Sequence, residues 1–477
     1  MQGENRNSKR RTFTLVILLF GAFMDMLDTM IINIAIPSIQ SGLHAGSAAV
    51  EWTANAYILG LALLIITGGR LGDIFGRKRM FMLGIAGFTV TSAFSGFAAT
   101  INILIFSRAV QGITAAIMVP QVLSYIQILF APKERAGALG AYSGISAFAT
   151  VGGSLLAAFL IRINFLHLGW RTIFLMNIPV GVFIFTAAAI ALEESKSSNP
   201  LHVDIPGTIM AIASLIMLLY PLIQGSSLGW PVWTYISVAA SLTVGILFII
   251  YEKHRTKLNQ SPLIALNLFR FKSFIGGVSV FTLLMIAMSG YFLVFTFYLQ
   301  MGLHFTPLHA ALTALPFSLM VPLTAGFSVM KLAPKHGRKV VVSGLILLAL
   351  GLAGVEFVMR KAGTSLSHWQ LLPVLLIGGA GMGMVVAPLT DFSISQVPGQ
   401  DAGSASGILN MMQQVGSNIG IAILGTVFFN FIGSSLEISG FAMGIRYAIG
   451  SAVGILILTI PFVFLLPQKI CQHSDSL

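Results

Sequence analysis

The chain has 477 residues, 56% hydrophobic and only 9% charged, with a mean hydropathy of +0.90. That balance excludes a soluble protein, whose core needs a polar shell, and points to a bilayer as the solvent. The net charge of +12 falls in short clusters between apolar runs, which is how topology-setting charge is arranged and not how a nucleic-acid surface is built; a single cysteine, Cys471, excludes an intramolecular disulfide.

Backbone groups in lipid must pair internally, and long unbroken apolar runs satisfy this as helices rather than as a barrel. In chain order, a basic tail (1–13) precedes a first span at 14–36. We read it as an uncleaved helix, because no small-residue cleavage site stands out and further spans follow at once. Spans are then expected at 52–69, 80–99, 101–125, 138–160, 172–192, 205–224, 232–251, 274–299, 308–332, 340–358, 370–390, 405–432 and 441–466. With the N-terminus cytoplasmic, 21 of the 27 Lys and Arg residues fall on inner segments and 5 on outer ones, so both termini are expected inside. The remaining cation, Arg108, lies within the fourth span.

The chain also repeats itself. "RLGDIFGRK" (70–78) resembles "KLAPKHGRK" (331–339), and "PKERAG" (132–137) resembles "PGQDAG" (398–403), at offsets of 261 and 266. The expected organisation is an N-terminal six-helix half (14–192), two extra spans with linkers (193–273), a C-terminal six-helix half (274–466) and a cytoplasmic tail (467–477). Parallel halves of this kind are a transporter architecture with the site near the midplane between them.

Polar residues inside spans carry the chemistry. Asp25 and Asp28 are three apart and share a helix face. A carboxylate at that depth needs a cavity or a partner, and could exchange a proton; the competing reading is an interfacial anchor. Arg108 keeps its charge and needs an acid nearby, for which Asp28 is the candidate; the pair is a switch or a static packing element. Asn33, Gln111, Asn410, Gln413 and Gln414 either line a substrate path or make interhelical hydrogen bonds of roughly 0.6 kcal/mol each. Tyr57, Phe292, Phe295 and Phe297 offer aromatic surface to a lipophilic cation or face lipid. Glu356 and Asp391 read first as interfacial charges in reach of water and second as secondary proton or cation sites. In the stretch "GGRLGDIFGRKR" (68–79), the cations fix a loop in the cytoplasm, the glycines allow tight turns, and Asp73 can pair with arginines or a helix N-terminus. No phosphate-binding Gly-Lys-Ser/Thr loop occurs, and the nine histidines lack metal-ligand spacing, so neither cofactor nor metal is expected.

These motifs together resemble a known family. "GGRLGDIFGRKR" is similar to the loop signature G-x-L-x-D-x-x-G-R-K of the major facilitator superfamily. "LDTMIINIAIP" (27–37), "RAVQGITAA" (108–116), "WRTIFLMNIPVG" (170–181) and "GILNMMQQVGSNIGIAILG" (407–425) resemble stretches of its fourteen-span drug:proton antiporter group. The resemblance implies an all-α polytopic membrane protein of the major facilitator fold, with two extra central spans. It implies a transporter rather than an enzyme, exporting lipophilic or cationic small molecules in exchange for protons across the cell membrane. Asp28 and Arg108, with Asp25, would couple protons; Gly69, Asp73, Gly76, Arg77 and Lys78 would form a gating latch; Asn33, Tyr57, Gln111, Asn410 and Gln414 would line the path. The expected partners are substrate, protons and membrane lipid, with no nucleic acid, and the chain is expected to be a monomer. The fifth span departs from the group, which usually has Gly-Pro followed by paired glycines. Here "GGSLLAA" (152–158) places Ser154, Ala157 and Ala158 at those positions, which implies a helix that bends less. Export of one endogenous metabolite or siderophore, a uniporter or a symporter stay open, as does a non-transporting sensor or scaffold.

Overall fold

The computed structural model describes residues 2–45, 47–163, 168–196, 204–225, 228–258, 263–264, 266–398, 401–432 and 438–468. Among them there is no strand. The long helices are α1 (Gln2–Leu43), α2 (Ser47–Phe75), α3 (Arg77–Gly96), α4 (Ile101–Leu129), α5 (Pro132–Ile163), α6 (Asn177–Ala191), α7 (Ile205–Gln224), α8 (Val232–Lys257), α9 (Lys272–Phe297), α10 (Pro307–Phe327), α11 (Lys339–Ala362), α12 (His368–Ile394), α13 (Ala402–Ile432) and α14 (Ile438–Val463). Each covers most of one expected span. Among the described residues, twelve candidate spans are long and apolar enough to cross a membrane. The other two helices, α3 and α5, open on charge: Arg77, Lys78 and Arg79 in one, Lys133, Glu134 and Arg135 in the other. The basic tail expected at 1–13 continues α1 from Gln2. The α5 backbone is helical without a break, while the side chains of Ser154, Ala157 and Ala158 lie outside the described residues.

Helices α2 and α4 pack most intimately. A methyl group on Gly112 would strike the Tyr57 carbonyl oxygen, and one on Gly60 would strike the Ala109 carbonyl oxygen. Backbones this close are what small residues permit in membranes. Around this pair α1 packs on α5 and α6, and α3 on α4 and α6; later in the chain α9 packs on α12, α13 and α14, and α11 on α12. The first six and last six helices meet along α5–α10 and α2–α13.

Those meetings gather at the end bearing residues 70–79. Ser406 Oγ of α13 donates to the Pro120 carbonyl of α4 at 3.2 Å. A methyl on Gly407 would lie 3.1 Å from Ile66 of α2, and one on Gly144 of α5 would lie 3.5 Å from Pro322 of α10. Helix α7 lies over the same seam: Leu215 and Leu219 bury against Ala62 of α2 and Val415 of α13. Trp52 donates to Gln224 at 2.9 Å, and Trp230 to Thr426 Oγ1 at 3.2 Å, fastening the α7–α8 hairpin to both sides.

Candidate functional site

The acid–base cluster is assembled from six helices and loops. Asp25 (6% exposed) and Asp28 (0%) point from α1 into the bundle, where α4 presents Arg108 (0%). Arg108 Nη1 forms an ion pair with Asp28 Oδ2 and donates to Gln111 Oε1 at 2.9 Å; its Nε donates to the Thr53 carbonyl at 3.1 Å. The guanidinium lies 4.3 Å from the Tyr57 ring centroid and 5.6 Å from that of Phe174. The expected Asp28–Arg108 pair is therefore present, and it is enclosed.

Asp28 is held from a second side. Its Oδ1 accepts from Asn177 Nδ2 at 3.0 Å and from Gln111 Nε2 at 3.3 Å. Asn177 also donates to Ser92 Oγ at 2.9 Å, and Ser92 donates to the Phe174 carbonyl at 3.0 Å. Asp25 accepts from the Tyr57 hydroxyl. Two carboxylates one helical turn apart thus differ: Asp28 is fixed by three side chains, and Asp25 by one. Among the described residues Arg108 Nη2 has no hydrogen-bond partner, so the guanidinium holds one donor in reserve. Such a cluster can pass a proton between carboxyls and re-aim one arginine as it does so.

Sequence reasoning placed Asp25, Asp28, Arg108, Gln111 and Tyr57 without their full partnership. It missed Asn177, Ser92 and Thr53. The signal for Asn177 was its place within "WRTIFLMNIPVG", where an amide stands among apolar residues on both sides. The other expected path residues do not join this cluster. Asn410 turns back to the Ser406 carbonyl of its own helix at 2.9 Å. Gln414 is half-buried, and its main-chain carbonyl accepts from Asn418 Nδ2 at 2.8 Å. The Asn33 side chain lies outside the described residues. Neither aromatic reading describes Phe295: it is buried and stacked on Tyr291 at 5.5 Å, while Phe292 and Phe297 pack against Phe317 and Phe429.

The second candidate site is at 68–79, and here the expected loop is corrected. Helix α2 continues to Phe75 and α3 starts at Arg77, leaving Gly76 as the whole connection. Its φ of 107° is reached readily by glycine only, and a methyl group there would also strike the Glu194 carboxylate. Gly69 is buried within α2. Arg77 donates to Asp73 Oδ1 at 2.5 Å, and Arg70 Nη1 lies 4.0 Å from Asp73 Oδ2; all three are buried. The chain just after α6 closes over the turn: the Arg77 N–H donates to the Ser195 carbonyl at 2.8 Å, the Lys78 N–H to Glu194 Oε1 at 3.1 Å, and Lys78 Nζ to the Ala189 carbonyl at 2.7 Å. Nothing in the sequence marked Glu194 or Ser195 for this task.

The repeated motif turns the same way. Gly337 has φ 58°, and the Arg338 N–H donates to the Gln468 carbonyl at 3.2 Å, just beyond α14. Acids from the distant chain face this end. Asp401, ahead of α13, neighbours Arg70 and Asp73, and Asp391 of α12 neighbours Arg135 of α5. Burial pushes the Asp401 carboxyl above the usual carboxylate range, with Arg70 opposing the shift. Asp391 is only 8% exposed, which corrects its expected place in water: α5 and α12 pack over it. Glu356 is half-buried on α11.

The family profile of the Major Facilitator Superfamily matches residues 18–207 and again 206–421, one match on each side of the repeat. The chain is 36% identical to a probable actinorhodin transporter of Streptomyces coelicolor over 90% of this chain and 74% of the relative. It is 31% identical to the tetracenomycin C resistance and export protein of Streptomyces glaucescens, over 88% and 76%. It is 29% identical to the puromycin resistance protein of Streptomyces alboniger, over 98% and 93%. Among solved structures, the proton:xylose symporter XylE superposes with a TM-score of 0.66 at 14% identity, covering 96% of each chain, which speaks for the fold alone. Repeated half-motifs, an all-helical bundle of membrane-spanning length and a profile match over both parts of the chain make this protein a member of the major facilitator superfamily, and so a multi-pass membrane transporter rather than an enzyme.

Proposed function

We propose that the chain is a fourteen-span drug:proton antiporter of the cell membrane, with both termini cytoplasmic, that exports lipophilic or cationic small molecules. The observation that carries this reading is the enclosed Asp25–Asp28–Arg108 cluster, an ionisable group set within the spans. The relatives' names, which concern resistance to antibiotics or their export, support a small-molecule cargo. Fourteen crossings are supported by α3, whose 20 residues span about 30 Å, and by α5, which packs between α1 and α10.

In this reading the two six-helix halves rock about a site between them. A proton enters at Asp25, whose carboxyl has one hydroxyl partner, and moves on to Asp28. Arg108 then trades Asp28 for its remaining partners, Thr53 and Gln111, and α1 shifts against α4. The contacts at the 70–79 end close the cytoplasmic side; Gly69, Gly76, Asp73, Arg77 and Lys78 form the latch, and Asp401 is its counterpart on the other half. Substrate passes along the half interface, where Gln111, Tyr57, Asn410 and Gln414 sit on the lining helices. One chain suffices for the cycle.

The test uses inverted vesicles carrying the protein, an inward-acidic gradient and a panel of lipophilic cations. Gradient-driven uptake is expected in wild type and absent from Asp28→Asn. Uptake that survives the substitution would remove Asp28 from coupling. A wild type that accumulates no member of the panel would reject broad export.

A further inference from the structure

A third charged site lies away from the half interface. Helices α11 and α14 pack against each other and against helices of the C-terminal part, and they leave between them a cavity of about 510 Å³. Its walls include Glu356 and Arg360 of α11 and Arg446, Tyr447, Gly450 and Ser451 of α14. That volume is in the range of small-ligand sites, roughly 300–1,000 Å³. Glu356 and Arg360 are one turn apart and share a face. Helix α11 ends at Ala362 and α14 begins at Ile438, so both charged sets approach the membrane end opposite the 70–79 turn. At 1.5 Å per residue, Glu356 lies about 9 Å and Arg446 about 12 Å inside those helix ends. Arg446, one of the five cations assigned to outer segments, lies within α14, a helix of membrane-spanning length.

Arg446 is exposed at that depth, within a helix of membrane-spanning length. Among the described residues, Glu356, Arg360 and Arg446 form no ion pair within 4.0 Å and no hydrogen bond through their side chains. Charge in hydrocarbon needs a partner. The groove offers two guanidinium groups and one carboxylate to whatever enters from the bilayer. Guanidinium groups match phosphate oxygens in paired hydrogen bonds, and a carboxylate matches an ammonium. Below the charges, the α14 surface continues as Val453 and the exposed Ile457, a strip suited to an acyl chain.

We propose that this groove binds a membrane phospholipid whose head group carries both a phosphate diester and a primary amine. The phosphate oxygens accept from Arg446 and Arg360, the ammonium donates to Glu356, and an acyl chain follows Val453 and Ile457. The site stands apart from the proton cluster, so the proposal does not depend on which compound is transported.

The test is native mass spectrometry of the full purified chain, offered phosphatidylethanolamine, phosphatidylglycerol and phosphatidylcholine in detergent. Wild type is expected to retain phosphatidylethanolamine ahead of the other two. Arg446→Gln is expected to weaken that retention about tenfold. Glu356→Gln is expected to lower phosphatidylethanolamine to the level of phosphatidylcholine and leave phosphatidylglycerol unchanged. Gly450→Phe guards against a folding artefact, because no atom lies within 4 Å of a side-chain carbon added there. It fills the groove and is expected to lose the lipid while circular dichroism and thermal unfolding stay as in wild type. Equal retention of phosphatidylethanolamine by wild type, Arg446→Gln and Gly450→Phe would overturn the site. Preference for phosphatidylglycerol in wild type would overturn the amine assignment. A dimer mass abolished by Gly450→Phe would show that a second copy covers the groove, and would overturn it too.

Discussion

Arg108 cannot shed its charge, so its surroundings must answer for it. They do so with geometry as well as charge: Nε and Nη1 reach Thr53, Gln111 and Asp28 at once. A lysine keeps the charge and loses the fork. Arg108→Lys is expected to cut the initial rate of gradient-driven transport by roughly tenfold or more, since even one lost charged hydrogen bond is worth about 1.5–3 kcal/mol. Normal amounts of protein in the membrane with unchanged rates would contradict this. Asn177→Ala addresses the other side of Asp28. It removes one donor to the carboxylate and one to Ser92, and a partial loss in the same assay is expected. An Asn177→Asp variant, which sets a third acid beside Asp28, is expected to be inactive. The pairing of Asp28 with Arg108 was legible from two unusual residues in apolar runs. The pairing of Asp25 with Tyr57 was not, because both residues were visible but only packing of α1 on α2 makes them meet.

At the scale of elements, the turn at Gly76 couples local strain to a tertiary contact. Its φ of 107° disfavours any side chain, and the Glu194 carboxylate occupies the place a methyl would take. Gly76→Ala is expected to destabilise the protein by about 1 kcal/mol or more, because the backbone penalty is compounded by the clash. Thermal unfolding in detergent checks it, with Gly363→Ala as a comparison: that glycine has φ 55° but open space around it, so it bears the backbone penalty alone. A drop for Gly76→Ala no larger than for Gly363→Ala would mean that Glu194 does not confine the turn. Helix content and order were readable in the hydropathy pattern, because a bilayer leaves the backbone few alternatives. The helical state of 70–75 was not. Charge clusters read as loop, yet Asp73 pairs with Arg77, lies beside Arg70, and all three stay buried.

Over the whole molecule, the contacts at the 70–79 end join distant parts of the chain. Asp401 is separated from Arg70 and Asp73 by most of the sequence and still faces them. In this arrangement burial raises its carboxyl above the ordinary value of about 3.9 that it recovers when solvated. The closed state therefore binds the proton more readily. The contribution of Asp401 to closure is fully present below the ordinary value and is lost as pH rises through the raised one. Amide hydrogen exchange at 70–75, followed from acid to neutral pH, is expected to show protection that falls with rising pH. Asp401→Asn is expected to flatten that fall, and an identical profile in the variant would remove Asp401 from the closure. The α7–α8 hairpin spans the seam as well, with Leu219 buried against both α2 and α13. Only the count and placement of those two helices were legible beforehand.

The sequence by itself determined the solvent, the helical class, the order of spans, the internal repeat and the identity of the costly buried charges. Each follows from the price of apolar surface in water or of polar groups in lipid, and that price is set residue by residue. The tertiary structure alone decided which polar groups meet. Asn177 reaches Asp28 and Ser92, Glu194 and Ser195 cap the Gly76 turn, Asp401 faces Arg70, and Arg446 is left exposed. Contacts between helices depend on rotation and depth, and a hydropathy pattern constrains these only loosely, because lipid-facing and protein-facing surfaces are nearly equally apolar.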